Sequence, residues 1–535
     1  MYDILIKNGR IVDGSGNPAF RGDVLIKDGK IVDVGRLAAQ IPDEKIEDII
    51  DVDGKVVAPG FIDPHTHEEV NIFADPVLGR YLYQGVTTVI DGHCGSSIFT
   101  TSELTRQYPS YFCGHLPEDV KWDSLSEYAQ VCQDRGGLGF NHGVLLGHGT
   151  LRWAAMGGAK QRPAHTGEME TMRRMIMEGL EQGALGMSTG LGYVPGKAAP
   201  TWEVERLCQE LTLFNATYAT HTRAEHGRAE GTAEAIRIGR TSGVCVHVSH
   251  LDPNSATEIA WLEAASREGI EAACDVMPHS GGHVIRLDVY ARGIKSSHFE
   301  HFDMSLAEFK ALLKDKDFRS QIIAKSHEFR LPKDELILVN CTDPEWEGRS
   351  LQELASESGK DANHFFLELM AEERPAGAIW QYAYRRNQTN RNRFPVLKDV
   401  ITSPVVTCGS DSIMTNPADP FEHYELQRNG VFPTFLVQGR EAGASLEYNI
   451  QRITALPARQ FRLWDRGMLR PGMAADIVVF APERFLFPEE IIPQDPHVLA
   501  QGMNKVLVNG TIVLSDGKLT GATPGKILLG KGRRE

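Results

Sequence analysis

VVAPGFIDPHTHEE (56–69) decides how the rest of this chain is read. A β-branched apolar run enters from the left, and the pattern then changes to alternating polar residues, as at the C-terminal end of a buried strand. Residues i and i+2 of a strand share a face, so His65 and His67 can reach one point beyond that end. A lone His-x-His is weak evidence. With 19 histidines in 535 residues, about 0.7 such pairs are expected by chance. The weight therefore falls on what else ends the same way.

Four other segments do. Cys94 stands in VIDGHCG (89–95), His221 in ATHTR (219–223), His250 in HVSHL (247–251) and Asp411 in CGSD (408–411). Strand-type runs are expected at 60–65, 86–91, 142–147, 184–188, 216–220, 245–249, 271–276 and 404–409. Amphipathic helices fall between several of them. One follows Thr166, with Met169, Met172, Ile176 and Leu180 on one face and Gly183 at its end. Another follows Asn254, with Ile259, Leu262 and Ala265. Eight strands alternating with helices predict an α/β fold, a (β/α)8 TIM-like barrel. Strand ends in such a barrel share one mouth. Imidazoles, a thiolate and a carboxylate gathered there have the ligand chemistry of zinc.

Residues 4–12, 24–32 and 506–513 each place Asn-Gly or Asp-Gly between β-branched runs, the signal of a two-residue hairpin. They predict a small β-sandwich domain built from both chain termini, residues 1–56 and 468–535, around a barrel at 57–467. Residues 277–403 separate the last two strands and read as an insertion over the mouth. It contains strand-like LILVNC (336–341), helical ANHFFLELMAEE (362–373) and cationic YAYRRNQTNRNR (382–393).

The net charge of −15 and pI near 5.7 leave no basic stripe for nucleic acid. No apolar stretch approaches the ~20 residues of a membrane span, and MYDILIKNGRIVDGSG has no signal-peptide pattern. Eight cysteines without CxxC spacing read as reduced thiols of a cytoplasmic protein. Oligomeric state is left open, a homo-oligomer included. No helix-borne His-x-Glu of the kind some deaminases use is present.

With these residues in this strand order, the chain resembles the amidohydrolase superfamily, and within it the N-acyl-D-amino-acid deacylases (D-aminoacylases). GFIDPHTH, GVTTVIDGHCG, GALGMSTGLGYVPG (183–196) and the closing TALPARQFRLWDRGMLRPGMAADIVVF (454–480) carry the likeness. Strand four reads GALGMSTG and offers no lysine to bridge two metals as in other members of the superfamily, so the resemblance implies that this role passes to the Cys94 thiolate. The resemblance implies that Cys94, His221 and His250 hold a tightly bound Zn2+. His65, His67 and Asp411 would form a second, weaker divalent-metal site. Asp411 would be general base and acid for attack by a metal-activated hydroxide, and Tyr193 would line the substrate pocket.

Three positions depart from the family pattern. Asp252 replaces a usual lysine, His279 a usual tyrosine and His93 a usual asparagine. An acid at a carboxylate-binding position repels an anionic substrate, so Arg223 or the arginines of 385–393 become the candidate substrate cations. The expected substrate is thus an N-acyl (D-) amino acid or related amide. The alternatives are a neutral or cyclic amide lacking the α-carboxylate and, less favoured, a non-catalytic barrel.

Overall fold

Eight strands follow one another in chain order, and the candidate metal ligands lie at or just beyond the ends of five of them. The eight are β1 (Phe61–Asp63), β2 (Val86–Asp91), β3 (Asn141–Val144), β4 (Gly186–Gly190), β5 (Thr217–His221), β6 (Cys245–Leu251), β7 (Ala272–Val276) and β8 (Val406–Cys408). The computed structural model describes all residues except 99–107, 109–119, 224–227, 253, 279–282, 326–335, 340, 342, 373–377, 382–397, 414–428, 489–497 and 533–535.

Every pairing along this series is parallel. β1 pairs with β2 and β2 with β3. After Leu145 the chain re-forms as Leu146–Gly147, which pairs with β4, and β4 through β8 then follow in order. β1 and β8 are each extended by two residues, and these extensions, Thr66–His67 and Ser412–Ile413, also pair in parallel. The strands are buried on both faces, as the helices between them require. Helix Thr166–Glu181 buries Met169, Met172, Ile176 and Leu180, and Glu168 accepts from the His165 amide at 2.7 Å at its start. Helix Ala256–Arg267 buries Ile259, Leu262 and Ala265.

Both termini build one nine-stranded sheet. Val56–Pro59 lies antiparallel to Ile477–Phe480, which joins the two ends of the chain. Asp28-Gly29 and Asn509-Gly510 are true two-residue turns, with positive φ at both positions and pairing that closes at Lys27↔Lys30 and Val508↔Thr511. Asn8-Gly9 is not a turn, contrary to the hairpin reading. Tyr2–Ile11 runs through it as one strand, with a register shift between Ile6 and Gly9. Two observations explain the difference. Asp23 and Asp51 accept from Asn8 N and Nδ2, each at 2.9 Å. A side chain at residue 9 would sit 2.6 Å from Val57 Cγ2, so glycine there serves a close approach rather than a reversal. The chain's last strand, Ile527–Leu528, leaves this sheet and pairs with β3.

Within 277–403, strands His283–Arg286, Leu336–Val339 and Ala378–Gln381 form an antiparallel sheet. With helices such as Ala362–Ala371 they enclose a separate apolar core that includes Leu287, Phe309, Leu338 and Phe366. Residues 382–393 and His279 lie outside the described residues. No helix among the described residues is long and apolar enough to cross a membrane.

Candidate metal centre

Cys94 sits in a turn just beyond β2, and that turn is held by glycines and by β4. Gly92, Cys94 and Gly95 all have positive φ. A Cβ on Gly92 would lie 2.2 Å from Leu145 O, and one on Gly95 would lie 2.6 Å from Gly190 N. Ser188 of β4 bridges the turn, accepting from Gly95 N at 3.0 Å and donating to Gly92 O. Strand four thus supplies no metal donor, but it fixes the one beside it.

His65 and His67 are completely buried. Asp63 accepts from the amides of His65 at 3.2 Å and Ser410 at 3.1 Å, tying β1 to the end of β8. Asp411 N donates to His65 O at 2.9 Å. Thr66 donates to Asp91 at 2.5 Å, and Glu68 N donates to the same oxygen at 2.8 Å. Three strand ends therefore converge on one place because buried carboxylates collect their amides and hydroxyls.

The donor atoms cluster. Cys94 Sγ lies 3.6 Å from His65 Nε2, 3.6 Å from His250 Nε2 and 4.0 Å from His221 Nδ1. His221 Nδ1 and His250 Nε2 are 2.7 Å apart. Asp411 Oδ1 lies 3.3 Å from Nε2 of both His65 and His67, and its side chain keeps 17% exposure. One group of four (His65, His67, Cys94, Asp411) and one of three (Cys94, His221, His250) each have their donors within 4.8 Å, with Cys94 in both. Tetrahedral zinc places its sulfur and nitrogen donors about 3.5 Å apart. The residues present therefore fit a zinc-class ion in donor type, spacing and burial.

Electrostatics agree with that fit. Burial pushes the Cys94 thiol up. The His65 charge and hydrogen bonds from His221, His250 and His65 outweigh it and hold the thiol well below its ordinary value. Burial depresses His67, but bonds to Asp411 and Cys94 raise it to about 9. His65 is likewise raised well above its ordinary value, with Asp275, Asp411 and Cys94 overcoming burial. A thiolate and carboxylates that draw positive charge onto neighbouring imidazoles would draw a dication to the same point. Cys94 (φ 52°), His250 (φ 37°) and Asp411 (φ 48°) also adopt left-handed backbone, a strain of about 1–3 kcal/mol per residue that concentrates at functional sites.

The remaining sequence candidates have different surroundings. The Tyr193 ring lies 4.4 Å from the His221 ring. Arg223 is committed to protein partners: Glu234 at 3.0 Å, Lys197 O at 3.1 Å and Ala199 O. Asp252 is exposed beyond β6, and its carbonyl accepts from Ser255 N at 2.9 Å. His93 and His247 are fully buried beside the cluster. His93 stacks on His65 at 4.1 Å and His247 Nε2 meets Asp275 at 3.0 Å. Asp275 itself was missed. Its signal was an acid at a buried position of the apolar strand AACDV.

Fold and site together define a member of the Amidohydrolase family (Amidohydro_3), whose profile matches residues 48–274 and 378–514. Among curated relatives, the N-acyl-D-aspartate deacylase of Alcaligenes xylosoxydans xylosoxydans is 31% identical over 98% of this chain and 95% of its own length. Among solved structures, the Bordetella bronchiseptica N-acyl-D-glutamate deacylase complexed with zinc and a phosphonate inhibitor superposes with TM-score 0.73. It is 28% identical and covers 99% of each chain. A D-aminoacylase studied for its binuclear metal centre, with one-metal activation and second-metal attenuation, gives TM-score 0.74 at 28% identity. It covers 99% of this chain and 100% of its own.

Proposed function

We propose that this chain is a zinc-dependent amide hydrolase that removes the acyl group from an N-acyl D-amino acid. In this reading Cys94, His221 and His250 hold the tighter ion, and His65, His67 and Asp411 offer a second, weaker site around the shared thiolate. The observation that carries it is the Cys94 sulfur, buried and within 3.6–4.0 Å of three imidazole nitrogens. Zinc, when bound, polarises a carbonyl and lowers the pKa of water towards ~7. Asp411 does the proton work. Its partial exposure lets it face a substrate, and His65 and His67 orient the carboxylate. It accepts the proton of the attacking water and returns it to the leaving nitrogen, which departs poorly unless protonated. Tyr193, packed on His221, walls the acyl pocket, and Asp252 joins it beyond the end of β6.

The parallel pairing of 66–67 with 412–413 supports closure of β1–β8 into one (β/α)8 barrel, with 1–56 and 468–535 as the β-sandwich and 277–403 as the insertion over its mouth. Seven free cysteines among the described residues support a reducing, cytoplasmic setting, and the acidic balance supports a small-molecule substrate rather than nucleic acid.

One observation favours a second reading, an amide without an α-carboxylate. Arg223 is consumed by Glu234 and two carbonyls, and the neighbouring strand end carries Asp252. Asp411→Asn tests the main reading. It should keep the fold and the tighter zinc equivalent, whose ligands do not include Asp411, while losing about 10³-fold or more in kcat. Retained turnover would reject the assigned role. The same assay run on N-acetyl D-amino acids against their carboxamides separates the two substrates, since a carboxylate-binding site favours the acids.

A further inference from the structure

Asp275 is an ion buried without exposure in the middle of β7, and the hydrolytic reading gives it no chemical step. Its two oxygens reach three places. Oδ1 lies 3.3 Å from His65 Nδ1 and 3.0 Å from His247 Nε2, while Oδ2 accepts from the His250 amide at 2.9 Å. The end of β8 is shaped around it as well. A Cβ on Gly409 would lie 2.6 Å from Oδ2, so only glycine fits there.

We infer that Asp275 is the positioning residue that sets both halves of the metal-binding cluster at once, by fixing the His65 ring from behind and holding the His250 backbone in its left-handed turn. This rests on the metal site proposed above. A carboxylate only accepts, so His65 keeps a proton on Nδ1, and with zinc bound its other nitrogen, Nε2, which lies towards Cys94 and Asp411, would be the one free to ligate. The effect on His250 is through its backbone. β6 pairs with β7 at Val248↔Cys274 and Leu251↔Val276, so Ser249 and His250 bulge out opposite Asp275. At φ 37° the His250 amide has turned off the ladder, and the carboxylate supplies its acceptor. Cys94 joins the two ligand groups from the front, and Asp275 joins them from behind.

Zinc titration of the purified full-length chain against a competing chelator tests this in wild type, Asp275→Asn and His247→Gln. Asn presents an N–H to one of two donors, so each zinc equivalent bound by wild type should bind about 10–100-fold more weakly in Asp275→Asn. His247→Gln removes only the third partner and should stay within about twofold. Unchanged zinc affinity in a folded Asp275→Asn protein, or weakening of one equivalent alone where wild type binds two, overturns the inference. A wild type that binds no zinc instead overturns the metal-site reading. Should Asp275→Asn fail to fold, 15N-histidine NMR of the zinc-loaded wild type still decides. A proton on His65 Nδ1 is expected, and a bare Nδ1 contradicts the proposal.

Discussion

The terminal sheet and the strand-end cluster both have buried interiors, yet they are built from opposite materials. The sheet's interior is aliphatic: Ile4, Ile6, Val24, Ile26, Ile50, Val57, Ile477 and Leu507 pack on one another. The cluster's interior is histidine, aspartate, glutamate and cysteine, held by charge-assisted hydrogen bonds across strands far apart in sequence. A buried apolar contact is non-directional and degrades gradually. A buried ion left without its partner costs several kcal/mol, so the cluster is intolerant of single changes. The first region is a support and the second is a device, and the two should respond differently to equally small substitutions.

The largest contrast comes from the polar network beside the site. Arg152 and Glu203 are fully buried. Glu203 accepts from Arg152 Nε at 2.7 Å and from Ala164 N at 3.0 Å, and meets His148 Nε2 at 3.2 Å. Arg152 also donates to Pro195 O at 3.1 Å, in the loop that carries Tyr193. Glu203→Gln leaves the guanidinium uncompensated and should cost about 3–5 kcal/mol in denaturant unfolding at pH 7. Burial raises the Glu203 carboxyl, but His148 and Arg152 hold it down at about 2, below its ordinary 4.5. A depressed folded-state pKa gives stability that is present above the unfolded value and lost as pH falls from about 4.5 towards 2. The gap between wild type and Glu203→Gln should therefore shrink over that range. A gap independent of pH would contradict the assignment.

The smallest effect is expected in the sheet. Ile26→Val removes one methylene from a completely buried side chain and should cost about 0.5–1.5 kcal/mol, with kcat/KM and zinc content unchanged. A loss of activity there would show that the sheet does more than support.

The same contrast explains what the sequence made legible. Strand existence and order follow from local patterning, so all eight strands fall where the apolar runs lie, apart from shifts of a few residues at their ends. The six gathered residues were legible because each ends such a run. The Asn8-Gly9 bulge was not, because its cause is Asp23 and Val57, distant in sequence. Asp275 was missed for the same reason. Its partners His65 and His250 lie 210 and 25 residues away, and an isolated acid in AACDV does not announce them. His93 stood out in the sequence only as a departure from the family's asparagine, because its stacking on His65 appears only after β1 and β2 pair.

Zinc K-edge X-ray absorption on the purified chain addresses the shared thiolate most directly. The spectrum should require one sulfur scatterer at about 2.3 Å alongside nitrogen and oxygen, and Cys94→Ser should abolish that sulfur shell. A zinc shell of nitrogen and oxygen alone in the wild type, or a sulfur shell that survives Cys94→Ser, would contradict the account.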